Sequence, residues 1–295
     1  MVNIFIIWGL IVLFIVQPGV AHDGAEAGAR LFVHALLPYL LPYIILTQWL
    51  LKMPSTGKVV TPWKKYVKAY VLGSFGGFPV GAVTVSEMTK NEELTRKQAG
   101  LILASCHAPG PMFIIGFVGI ELFNDISTGW KLLIAIHIAN IIFFFMTLLF
   151  LKNESELKST SHPPVTKRPT MPLLDSLKDS SEIIILVATT VIFFSALGIV
   201  LSSVIAAAFS VDTGIAQTVT LSIFEMTSGV QAATDHFSGL TIFPLLIAAI
   251  ISLNGFSIHI QVAVIAKSAK ISLRPYVIGR FWCTLIVPLL FYLLL

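Results

Sequence analysis

Two glutamates stand inside runs that otherwise carry no charge: Glu87, near the end of residues 69–89, and Glu225, in the middle of residues 215–234. A carboxylate at membrane depth costs about 2.5–3.5 kcal/mol on insertion scales, so it lines a cavity, finds a partner, or takes up a proton or cation. Both are candidates for coupling. Glu87 lies close enough to the exit of its run for an interfacial position to explain it, whereas Glu225 is flanked on both sides by SIF and MTSG. A second group, Asn254, Gly255, Ser257, His259 and Gln261, falls within eight residues of an apolar run. It supplies donors and acceptors that could read a polar ligand. The competing use is hydrogen bonding between helices, worth about 0.6 kcal/mol each on average. His107, beside Ser105, is the comparable position earlier in the chain. Scattered histidines of this kind are too few for a metal site, and no metal or cofactor is expected.

These residues need backbone that can place them. Residues 73–82 read GSFGGFPVGA, and residues 104–119 read ASCHAPGPMFIIGFVG. Gly77, Pro79 and Gly81 in the first, and Pro109 and Pro111 in the second, are residues that break or kink helices. A broken helix frees backbone groups that lipid cannot satisfy, and it persists only where protein surrounds it or a watery cavity meets it. Many transporters build their substrate sites from such breaks. Gly77 and Gly81 also form a GxxxG pattern, which close helix packing uses, but Pro79 between them favours a break. Thr227 and Gly229 follow Glu225 in the same way.

The chain has 295 residues, 56% hydrophobic and 12% charged. Soluble domains carry about 25% charged residues, so this composition indicates a multi-pass integral membrane protein. HExxH, GxxxxGK[ST], GxSxG and GxGxxG are all missing from the sequence, which leaves no enzyme signature. The basic residues are dispersed over short segments, which argues against nucleic acid as a partner. Cys106 and Cys283 lie in apolar runs and read as buried thiols.

Along the chain, residues 1–29 predict an N-terminal span or signal-anchor followed by the polar AHDGAEAGAR. Gly19-Val20-Ala21 fits a signal-peptidase site, but the first residues contain no Lys or Arg, which favours an uncleaved span. Residues 30–151 form a first repeat, 152–180 a polar, proline-rich linker, and 181–295 a second repeat. Each repeat reads as a span, a short run interrupted by polar residues, a glycine-broken span and a final span. The topology that keeps most lysines and arginines on one side has seven spans. In it the runs at 69–89 and 215–234 return to the face they entered from. That arrangement puts seventeen of nineteen lysines and arginines inside, leaving Arg30 and Lys131 outside, and counts Arg280 with an inner loop at 267–280. The expected fold class is therefore an all-α integral membrane protein. It is an inverted repeat of transmembrane helices with two re-entrant helical hairpins, with the N-terminus and the linker cytoplasmic.

The four motifs GSFGGFPVGA, LASCHAPGPMFIIGFVG, SIFEMTSG and SLNGFSIHIQVA, in that order, resemble the YlbJ-type sporulation integral membrane proteins. These belong to the wider group carrying the nucleoside-recognition, or Gate, domain, which is similar to the repeat units of concentrative nucleoside transporters. The resemblance covers residues 30–295. It implies a permease of the bacterial cell or forespore membrane for a small polar solute, nucleoside-like or dipicolinate-like. A non-transporting scaffold or sensor of spore formation is the alternative. The positions it matches are Gly77, Pro79, Gly81, Ala82, Pro111, Phe113, Gly116, Glu225, Thr227, Gly229, Gly255, Ser257 and Gln261. The chain departs from the pattern at Cys106-His107-Ala108 and at Val83. With Asn254 and His107 added from the residues themselves, these positions other than Ala82, Phe113 and Gly116 form the expected solute site. The expected partners are that solute and the lipid bilayer, and a homo-oligomer stays open.

Overall fold

The computed structural model describes residues 2–53, 62–151 and 171–295, and the regular structure in them is helical throughout. Residues 152–170 of the expected linker lie outside the described residues, as does Lys58 of the basic segment after Lys52. The helices are α1 (Val2–Val16), α2 (Pro18–Leu31), α3 (Leu37–Lys52), α4 (Pro62–Gly76), α5 (Val80–Lys90), α6 (Arg96–Cys106), α7 (Ile126–Leu151), α8 (Pro172–Phe209), α9 (Thr213–Phe224), α10 (Met226–Phe237), α11 (Phe243–Leu253), α12 (Gly255–Ser268) and α13 (Arg274–Leu294). Among the described residues, five helical stretches are long and apolar enough to cross a membrane: Pro18–Lys52, Ile126–Leu151, Pro172–Phe209, Phe243–Ser268 and Arg274–Leu294. Ile4–Val16, Phe113–Leu122 and Thr213–Phe224 are shorter apolar helices.

The polar stretch at 21–30, expected as a connection, is helix. α2 continues through a π-helical stretch, Phe32–Leu36, into α3. Pro38 explains the wider turn, because it brings no N–H to the ladder there. Leu37 N instead reaches back five residues to Phe32 O. Gly24 and Gly28, one turn apart, make a notch for α8: a Cβ on Gly24 would lie 2.9 Å from Ala196 Cα, and one on Gly28 2.7 Å from Ser195 Cβ. The remaining polarity of α2 is internally paired, with Arg30 donating to Glu26 at 2.6 Å.

Helix ends follow local chemistry. Thr95 and Gln98 form a reciprocal capping box at α6. Asp125 accepts from the backbone N–H groups of Ser127 and Thr128 at the start of α7, and Asp212 caps α9. Proline sits in the first turn of α2, α8, α11 and α13, where its missing N–H costs nothing.

Two helix pairs fold back on themselves. A Cβ on Gly73 would lie 3.0 Å from Gly81 Cα, and Lys68 pairs with Glu93 at 3.3 Å, so α4 and α5 are antiparallel about a turn at residues 77–79. A Cβ on Gly229 would lie 2.5 Å from Ser222 Cα, and His236 meets Gln217 at 3.1 Å, so α9 and α10 do the same about Glu225. α7 and α13 run in opposite directions: Lys131 reaches Leu295 O at 3.3 Å at one end, and Trp282 donates to Ala139 O at 3.1 Å further along. α6 lies beside α13 in the same direction, Gly100 against Ser272 and Ala104 against Gly279. α11–α12 runs the other way, because Phe123 touches both Phe243 at the start of α11 and Phe291 near the end of α13. The ends of α3 and α12 and the starts of α6, α8 and α13 therefore share one end of the bundle. Lys52 pairs there with Asp179, and Ser86 with Ser268.

Candidate functional site

The two turns approach each other from opposite ends of the bundle. At the first, Gly77 adopts φ +78°, and a Cβ there would lie 2.8 Å from Gly110 N, so the turn packs backbone to backbone against the break between α6 and the π-helical stretch Phe113–Leu122. At the second, Glu225 takes an extended conformation and ends α9 while its own side chain starts α10. Its Oε2 accepts from Ser228 N at 2.6 Å, and its Oε1 accepts from Ser257 Oγ at 3.4 Å. Ser228 Oγ and Ser195 Oγ form a hydrogen bond of 2.7 Å in which either hydroxyl can donate. The break in the span at 240–266 falls where the sequence predicts it, at Asn254 (φ +77°) and Gly255 (φ +62°). A Cβ on Gly255 would lie 3.0 Å from Met226 N, so the broken span leans on the second turn.

Between the turns is a cavity of about 20 Å³ lined by Leu40, Phe78, Gly110, Glu225, Thr227 and Gln261, among others. That is room for about one water molecule. Glu225 is only 1% exposed. Gln261 does not point an idle amide into this space, since its Nε2 donates to Thr190 Oγ1 at 2.8 Å.

The structure thus brings together Glu225, Thr227, Ser257 and Gln261 from the second half with Phe78 and Gly110 from the first. It separates others that the sequence groups with them. Glu87 lies in the last turn of α5 and pairs with Lys90 at 2.8 Å, well away from the second turn. Gly229 gives close approach to α9 rather than to a ligand, and Gly81 to Cys106 and His107, where a Cβ would meet Cys106 O at 3.0 Å. Pro79 begins α5 as its N-cap. Pro111 lines a different, outward-facing groove with Phe75, Trp130 and His137.

Arg280 is a correction. Counted with an inner loop, it is instead buried inside α13, 3% exposed. Its Nη2 donates to Ala104 O at 3.2 Å and to Asn140 Oδ1 at 3.4 Å, and its guanidinium lies 5.8 Å from the Tyr276 ring centroid. Around it, His107 packs on Phe78 (ring centroids 4.8 Å apart) and on Tyr276 (5.4 Å), and His259 packs on Tyr276 (5.4 Å). Asn254 Nδ2 reaches the Tyr276 hydroxyl at 3.4 Å. The signal for Arg280 was present: Pro275 marks a helix start, and Tyr276, Arg280, Cys283 and Val287 repeat at four- and three-residue steps on the buried face.

The chain is similar to the sporulation integral membrane protein YlbJ of Bacillus subtilis (strain 168), 23% identical over 305 aligned positions that cover 90% of this chain and 75% of that protein. No family model matches the chain. No solved structure matches it either.

Proposed function

We propose that the chain is a multi-pass membrane transporter whose two halves form an inverted repeat, with a small polar solute bound between two re-entrant hairpins. One observation carries this reading: two helical turns, one before and one after residues 152–170, enter from opposite ends of the bundle and face one cavity holding the buried carboxylate of Glu225. The opposite directions of α7 and α13, and of the two broken spans, support it. A cavity of about 20 Å³ fits a closed state, in which the turns must part before a nucleoside-sized or dipicolinate-sized solute enters. The Gate-like assignment rests on the same paired turns, and the connection to spore formation rests on the name of the Bacillus relative. The end of the bundle bearing Lys52, Lys68, Arg96, Lys267 and Arg274 would face the cytoplasm.

Vesicle uptake of labelled uridine and labelled dipicolinate tests the reading, comparing the wild type with Glu225→Gln and Thr227→Val. Saturable uptake that both variants reduce is expected. Uptake unchanged in both variants would refute the site. The second reading, a non-transporting scaffold or sensor, draws on the smallness of the cavity. It predicts that neither solute is taken up while the gene still restores sporulation to a null strain.

A further inference from the structure

The geometry points to a second ligand site beneath the first turn: Arg280 is the counter-charge for a small monocarboxylate anion, held with His107 and Tyr276 and reached from the cavity through Phe78. The inference adds a second, anionic ligand to the transport reading, distinct from the solute between the turns, and it rests on the hairpin turns moving apart as that reading requires.

Charge bookkeeping comes first. A guanidinium inside a membrane bundle is expensive and ordinarily pairs with a carboxylate. Among the described residues, none of the ion pairs involves Arg280. Its partners are a backbone carbonyl and a neutral amide, both through Nη2. Its Nε is buried and has no hydrogen-bond partner. The orphaned group is not alone. His107 is fully buried, and neither ring nitrogen has a partner; His259 Nδ1 and Asn254 Oδ1 are also buried and unpaired. Buried polar atoms are satisfied in the great majority of cases, so these orphans call for missing partners. Arg280 Nε and one nitrogen of His107 are the donors among them, while Asn254 Oδ1 and the other His107 nitrogen are acceptors and play no part in holding an anion.

The type of partner follows from the donors. A neutral imidazole always presents one N–H, and the guanidinium adds a charged one. Charge-assisted bonds to an anion are the strong use of such donors. One unpaired positive charge balances one negative charge. At the guanidinium itself a phosphate, at about −1.5 to −2, would leave an excess of negative charge, whereas a monocarboxylate closes the balance. Glu225, which lines the cavity with Phe78, is held instead by Ser228 N and Ser257 Oγ and forms no ion pair with Arg280.

Access follows from the ring contacts. Phe78 sits at the tip of the first turn, lines the cavity and lies against His107. His107 in turn lies against Tyr276, over which Arg280 is placed. Withdrawal of the first turn carries Phe78 away and opens His107 and then Arg280 to the cavity.

The test uses purified full-length protein in detergent. Cys106 and Cys283 are both free and buried, so a thiol-reactive dye reports unfolding. Sodium benzoate and sodium acetate are titrated against benzamide and sodium chloride at matched ionic strength. The expected result is a saturable rise in the unfolding midpoint with the carboxylates alone. His107→Phe should weaken this response at least tenfold, and Arg280→Met should abolish it. If Arg280→Met does not fold, His107→Phe decides. A wild type that shows no saturable, carboxylate-specific rise overturns the proposal, and so does a response that His107→Phe leaves at the wild-type concentration. Binding in detergent needs no translocation, so a negative result here removes the anion site and leaves the transport reading to the vesicle assay.

Discussion

Replacing Gly279 with alanine probes the seam on which the Arg280 cluster depends. The added Cβ would lie 2.5 Å from Ala104 O and 3.1 Å from Ala104 Cβ. Ordinary contact begins near 3.4 Å, so α6 and α13 must part by nearly 1 Å. A backbone carbonyl cannot swing aside as a side-chain tip can. That carbonyl is also the one that accepts from Arg280 Nη2. Overpacking costs about 1–3 kcal/mol and a lost bond from a charged donor about 1.5–3 kcal/mol, while alanine regains about 1 kcal/mol of helix propensity, leaving a net loss of about 1.5–5 kcal/mol. Gly9→Ala is the control: its Cβ meets nothing within 4 Å, so only the propensity gain applies. Both variants are compared with the wild type by denaturant unfolding in micelles, read by dye reaction at Cys106 and Cys283. The two variants should move in opposite directions. A Gly279→Ala protein as stable as Gly9→Ala would refute the close contact of α6 with α13 and the Arg280 geometry with it.

Glu225→Ala removes the cap of α10 and leaves Ser228 N without its acceptor, a loss of about 1–3 kcal/mol, whereas Glu225→Gln keeps an oxygen there and should lose less than about 1 kcal/mol; the same unfolding assay measures both. If the proposed transporter topology holds, cysteines placed at Lys64 and Lys90 should label from one face of oriented vesicles and a cysteine at Asp235 from the other; labelling of Lys64 and Lys90 from opposite faces would refute the proposal that residues 69–89 are re-entrant. The Thr128 hydroxyl, with the N–H groups of Ser127 and Thr128, holds the Asp125 carboxyl below its usual value of 3.8. Its folded-state affinity for protons is thus lower than in the unfolded chain. Its contribution is complete above the ordinary carboxylate range and is lost as pH falls through the lowered value. The stability gap between wild type and Asp125→Ala should stay constant from pH 7 to pH 5 and close only below about 3.8. A double-mutant cycle on Lys52 and Asp179, which join α3 to α8, should give a coupling of about 1 kcal/mol or less, because Asp179 is half exposed.

Much of the architecture could be read from punctuation. Gly76-Gly77 with Pro79, the HAPGP at 107–111 and Asn254-Gly255 each mark a real interruption of helix, because these residues are poor helix formers or tolerate positive φ. Glu225 was legible as unusual, but not as the turn itself. Its side chain replaces the helix as the acceptor for Ser228 N, and a charge inside an apolar run does not announce that role. Two readings went astray for one reason, which is that hydropathy was followed without helical phase. α2 is polar on average but carries its small residues on one face, where α8 fits them. Arg280 follows Lys267, Lys270 and Arg274 closely enough to be counted with them, but it lies five residues beyond Pro275 and faces inward. The fit of one turn to the other depends on contacts between distant segments, and no local pattern encodes it.

The notch of Gly24 and Gly28 also bears on how the chain is made. The surface that fills it, Ile192 to Ile199, is synthesised about 170 residues later. At about 5–20 residues per second, α2 waits roughly 8–35 seconds for its neighbour. During that interval it must sit at or in the membrane with His22, Asp23, Glu26 and Arg30 and with its groove empty. The Arg30–Glu26 pair, four residues apart on the same helix, neutralises two charges without needing α8. α2 therefore gains its main neighbour late, and assembly of the amino-terminal half stays incomplete until the ribosome is well into the carboxy-terminal one.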